Sequence, residues 1–152
     1  MSLATSSLWP GIVWPQSRVH DAVAALARAR RLNPAATATQ TNAEIDTLAA
    51  AMGVEAEPIE ACYGEIETLL TQADGALLSV TVAGVTGWIL VVKSGRHRLL
   101  LLTPGLQQRR VKTQMVRDVL CAPLETMLSP GLDAMLAALP PQRQAHERSA
   151  LM

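Results

Sequence analysis

The segment GALLSVTVAGVTGWILVVKSGRHRLLLLTPGLQQRRVK, residues 75–112, decides more about the fold than any other part of the chain. It holds three apolar runs, ALLSVTV, GWILVV and RLLLL, followed by the short basic run QRRVK. The intervening AGVTG and KSGRH are rich in turn residues and too short for a crossover helix. Period-two or unbroken apolar runs joined by such short links predict consecutive antiparallel strands, a meander.

The flanking segments follow helical periodicity instead. After Pro15, a good residue to open a helix, QSRVHDAVAALARARRL places Val19, Val23, Leu26 and Ala27 on one stripe and Arg18, Arg28 and Arg31 off it. Asn42 is a suitable N-cap for AEIDTLAAAMG, which ends at Gly53. VEAEPIEA, residues 54–61, alternates and carries Pro58, which predicts a short edge strand. YGEIETLLTQADG predicts a third helix and KTQMVRDVL a fourth. Two further helical stretches, around LDAMLAAL and QRQAHERSALM, are expected to be separated by breaks at Pro130 and Pro140-Pro141. The opening MSLATSSLWPG predicts a flexible lead over residues 1–12, with Trp9 docked on the body. Helices, then a sheet, then helices place the chain in the α+β class.

Composition limits the function. The chain has 152 residues, 49% of them hydrophobic, enough for one domain with its own core. That core is aliphatic, since there is no Phe, one Tyr and three Trp. Thirteen basic and thirteen acidic residues cancel, which argues against the positive field that nucleic acid requires. Locally the charges separate, with carboxylates dense between Glu44 and Asp74 and basic groups at Arg28 to Arg31, Arg96 to Arg98 and Arg109 to Lys112. Cys62 and Cys121 lack the spacing of a metal knuckle, no signal peptide opens the chain, and no window reaches the ~20 apolar residues of a membrane span. The expectation is a cytoplasmic chain with no metal, no cofactor and no nucleotide loop.

The ordered series MGVEAEPIEACYGEIETLL, GALLSV, GWILVVKSGRHRLLLLTP and RRVKTQMVRDVL resembles the papain-like bacteriocin-processing peptidase domain found at the N-terminus of peptide-exporting ABC transporters. The resemblance covers roughly residues 13–121, with residues 122–152 as a helical tail or linker toward a following membrane domain. It implies a papain-like fold and a site built from a Cys at the start of the first helix, a His opening a strand, an Asp after the next strand and an upstream Gln that donates to the oxyanion. Here the Cys position falls near Arg18, the His position at Gly87 or Trp88, and the Asp position at Thr103. Gln16 stands near the oxyanion position. All three catalytic members are replaced, so the resemblance implies a domain that binds and does not cut.

The expected function is therefore a non-catalytic accessory domain of an ABC-type exporter, at the inner face of the plasma membrane. It would dock a peptide or unfolded substrate in the old groove near Trp14, Arg18 and Trp88. The alternative is a stand-alone adaptor or oligomerisation domain that meets a partner protein through the Met- and Leu-rich tail. Other constellations have plainer readings: Cys62 as a buried structural thiol, His97 as a solvated turn residue, His146 as part of a charged tail, and Glu60, Glu65 and Glu67 as a wet acidic surface. The basic groups at 96–98 and 109–112 fit the blunting of a sheet edge, with contact to an acidic partner or anionic lipid as the functional alternative.

Overall fold

The computed structural model describes residues 8–31, 45–51, 57 and 59–137. The meander forms as its pattern predicts, with β2 (Ala76–Val82), β3 (Val85–Lys93), β4 (Arg98–Leu102) and β5 (Gln108–Lys112) antiparallel in sequence order. The first link is tighter than AGVTG implied. Val82 pairs with Val85, so Ala83 and Gly84 alone make the turn, both with positive φ (51° and 78°). That is the turn whose twist suits a two-residue hairpin.

One strand was not legible as such. Trp14–Pro15 forms β1 and pairs with β3 through Trp14↔Trp88 and Pro15↔Gly87. Trp88 also faces Ser79 of β2, so β1 and β2 lie on opposite sides of β3, and β1 shares its side with β4. β1 approaches closely enough that a Cβ at Gly87 would fall within contact of the Trp14 carbonyl oxygen and the Val13 side chain. Only glycine lets the two backbones pair here.

Both sheet faces are covered, which is why the strands read as nearly continuous apolar runs. Val80, Ile89, Val91, Leu99, Leu101 and Val111 point to one core with Trp9, Ile12, Leu70 of α3 (Ile66–Thr71) and Val116 of α4 (Thr113–Leu136). Leu90, Val92 and Leu102 point to the other, with Trp14 and with Ala22, Ala25 and Leu26 of α1 (Val19–Ala29). Val23 and Ala27 turn toward Ile45 of α2 (Ile45–Ala51), so the expected α1 stripe is divided between sheet and helix. Trp9 docks as expected, and Ile12 joins it fully buried, so Leu8, Trp9 and Ile12 belong to the core while Pro10 and Gly11 stay exposed.

Hydrogen bonds from loop side chains fix the ends of these elements. The Ser94 backbone N–H and hydroxyl both reach the Asp74 carboxylate, the hydroxyl at 2.6 Å, joining the α3–β2 loop to the β3–β4 turn. Asp74 is thereby held below the usual carboxylate range, first by the Ser94 hydroxyl and then by its N–H. Thr113, buried at the head of α4, donates from its hydroxyl to the Gly95 carbonyl at 3.1 Å.

Three expectations need correction. The break at Pro130 does not occur: α4 runs unbroken through Pro123 and Pro130. Both prolines are exposed, on the side where water can take the carbonyls they leave unbonded. The edge strand over 54–61 is not formed at its described positions, 57 and 59–61, which carry no regular structure. The third helix is shorter than its pattern, a 3-10 turn at Tyr63–Glu65 leading into the six residues of α3. The second tail helix and His146 lie outside the described residues. The α+β class with an antiparallel sheet stands.

Candidate functional site

Where α1 begins, the chain leaves β1 through a 3-10 turn, Gln16–Arg18, with Pro15 extended at its cap. This geometry sets Arg18 at the mouth of the α1 face of the sheet. Its Nε donates to Asp21 at 3.0 Å in an ion pair whose side chains are 44% and 58% exposed, and such a pair contributes little to stability. Its guanidinium carbon lies 5.1 Å from the centre of the Trp14 ring, a cation–π arrangement.

Below Arg18, Trp14 is fully buried and its indole Nε1 donates to the Leu102 carbonyl at 2.8 Å. The bond closes the end of β4 where that strand stops beside β1. Trp88, directly across from Trp14 in the sheet, is partly buried against the same cluster. Its Nε1 is buried and, among the described residues, has no hydrogen-bond partner. Thr103, next to Leu102, is 3% exposed, and its hydroxyl accepts from the Gln107 N–H at 3.2 Å while its backbone N–H donates to the Gln107 carbonyl at 2.9 Å. It shapes the β4–β5 turn.

Arg18 and Trp88 therefore meet on Trp14, although they are far apart in sequence, and Thr103 follows the Leu102 carbonyl that the Trp14 indole reaches. Of the residues expected to touch a ligand, Arg18 is exposed and Trp88 partly so. Trp14 is a correction: with its ring buried and its N–H committed, it supports the site from beneath. Gln16 is exposed on the 3-10 turn. What this arrangement offers chemically is a cation and the edge of an indole, with no thiol, imidazole or carboxylate in the Arg18, Trp88 and Thr103 positions.

The expected burial of Cys62 needs correction. Cys62 is exposed, whereas Cys121 is buried. Burial pushes the Cys121 thiol up, against the opposing pull of Arg117. His97 is exposed in the β3–β4 turn, and Glu60, Glu65 and Glu67 are exposed, as expected. Among the described residues no group of three or more His, Cys, Asp or Glu is placed to hold a metal ion, and no helix is long and apolar enough to cross a membrane.

A polar cluster escaped the sequence reading. Tyr63 donates its hydroxyl to Glu125 at 2.6 Å and accepts from Arg117 at 2.8 Å, while Arg117 also reaches Glu125 at 3.3 Å and stacks 5.1 Å from the Tyr63 ring. The Glu125 bond, with burial, pushes the phenol up, against the pull of Arg117. Arg117, Cys121 and Glu125 recur every four residues on α4, which was a readable signal, but Tyr63 joins them only through the fold. The cluster ties the entry of α3 to α4.

No family model, no curated protein and no solved structure matches this chain.

Proposed function

We propose that the chain is a non-catalytic docking module of papain-like build that holds a peptide or unfolded segment for an ABC-type exporter on the cytoplasmic side. The observation that supports this most is the meeting of Arg18 and Trp88 on Trp14, with Thr103 one residue past the Leu102 carbonyl that the Trp14 indole reaches. The resemblance assigns these positions to a nucleophile, a base and its orienting acid, and such a site works only if a helix start, a strand and the end of the next strand converge. Here Arg18 lies over the Trp14 ring, Trp88 pairs with Trp14 across the sheet, Thr103 follows the Leu102 carbonyl that the Trp14 indole reaches, and the Trp14 ring itself is fully buried. Arg18 and the Trp88 edge are left to meet a ligand, and an extended segment can be held there by side-chain contact without bond cleavage.

The test uses a synthetic exporter leader peptide ending in Gly-Gly. Mass spectrometry should find it intact after long incubation, and calorimetry should find binding. Trp88→Ala and Arg18→Ala should each weaken that binding about fivefold or more, the scale of a contact worth about 1 kcal/mol. Cleavage after Gly-Gly would overturn the non-catalytic reading.

A second reading has its own observation. Leu124, Met127, Leu128 and Met135 are exposed at 40%, 78%, 56% and 73% on α4, beyond the part of that helix packed on the sheet. Such a stripe suits an adaptor that meets a partner protein. Failure of every leader peptide to bind, together with a self- or partner-association abolished by Met127→Glu, would favour it.

A further inference from the structure

β5 is the end strand of the sheet, paired with β4 on one side and, among the described residues, with nothing on the other. Which of its backbone groups face outward follows from the bonds that flank the ladder. The Thr113 N–H donates to the His97 carbonyl, and the Thr103 N–H to the Gln107 carbonyl. Hydrogen-bonded and non-bonded pairs alternate along an antiparallel ladder. Leu99↔Val111 and Leu101↔Arg109 are thus the bonded pairs, and Gln108, Arg110 and Lys112 turn their N–H and C=O groups to the open edge.

The same strand and the adjoining turn concentrate positive charge. Arg96, Arg98, Arg109, Arg110 and Lys112 are all exposed, and none of the five forms an ion pair among the described residues. Arg98 stands directly across from Lys112, so two like charges share one face at cross-strand distance, an arrangement that disfavours the unliganded sheet. Among the described residues, Glu67 is the only carboxylate lining the cleft beside them. A groove along β5 is floored by Leu8, Val111 and Met115, which gives an incoming strand apolar contact as well as charge.

From these observations we infer that β5 is an acceptor edge for an extended acidic segment of another protein, which adds to the sheet as a further strand. The open N–H and C=O groups of Gln108, Arg110 and Lys112 supply the main-chain pairing, and the cations supply the choice of partner. The charge that would repel a second copy of β5 attracts a strand bearing Asp or Glu at alternate positions. This inference does not rest on the Trp14–Trp88 site, which faces α1.

The experiment measures fluorescence anisotropy of the intact chain with a short labelled peptide that alternates Glu with Thr or Val. Two further peptides carry N-methyl groups on all the Glu or on all the other residues. A strand added to one edge uses the N–H groups of one alternation only. One methylated peptide should therefore lose roughly tenfold or more in affinity while the other stays within about threefold of the parent. Arg110→Glu should weaken the parent peptide by roughly tenfold, and added salt should weaken it too. Equal binding of both methylated peptides would overturn strand addition. Absence of binding by the parent peptide would overturn the inference outright. So would stronger sedimentation with phosphatidylserine vesicles than binding of the peptide, because the basic edge would then be a membrane contact.

Discussion

Replacing an indole by a phenyl ring should have opposite effects at two neighbouring positions. In Trp14→Phe the Leu102 carbonyl loses the donor it accepts at 2.8 Å in a fully buried setting. That carbonyl still faces Leu90 across the β3–β4 ladder, so losing the indole donor costs about 1 kcal/mol. The smaller ring gives up a few tens of Å² of contact, roughly 1 kcal/mol at about 25 cal/mol per Å². The expected loss is about 2 kcal/mol. In Trp88→Phe the packing loss is similar, but the group removed is a buried N–H with no partner among the described residues, so about 1–3 kcal/mol of desolvation cost disappears with it. That variant should be neutral or more stable than the parent. Urea titrations followed by far-UV circular dichroism, compared at equal m-values, should separate the two by at least about 2 kcal/mol, and thermal midpoints by roughly 6 °C or more. Equal losses within about 0.5 kcal/mol would refute the hydrogen-bond argument, since ring size alone would then account for both.

Gly87→Ala should destabilise the fold by about 1–3 kcal/mol through the clash with the β1 backbone, and should raise amide exchange in residues 13–16 more than in β4. Asp74 links stability to pH: its folded pKa is depressed, so its contribution is present above the ordinary carboxylate value of about 3.9 and is lost as pH falls through the lower folded value. Ser94→Ala should therefore lower stability near neutral pH and flatten the acid limb of the stability–pH curve. Thiol labelling of the native chain near neutral pH should modify the exposed Cys62, unchanged by His97→Ala, and reach buried Cys121 only on unfolding. Modification of Cys121 at the same rate as Cys62 would contradict its burial.

The local pattern of the sequence was enough for what neighbours along the chain decide. Short links between apolar runs made β2 to β5 legible, and the spacing of Val19, Val23, Leu26 and Ala27 made α1 legible, because the period of side-chain burial is set within each element. That Arg18, Trp88 and Thr103 supply no thiol, imidazole or carboxylate was also readable, being a matter of which side chains are present. What only the tertiary structure decided is where partners from distant segments meet. Trp14 and Trp88 are the same residue type, yet one indole finds the Leu102 carbonyl, 88 residues away, and the other finds no acceptor among the described residues. Cys62 and Cys121 differ in burial because Cys121 falls under the part of α4 packed on the body. Pro130 does not stop α4, because exposure lets water replace the bonds that proline removes. β1 is too short to show a period, and it exists because Gly87 admits its backbone. In each case the deciding quantity is a hydrogen-bond partner, a solvent contact or a close approach supplied by residues remote in sequence, and no local pattern encodes it.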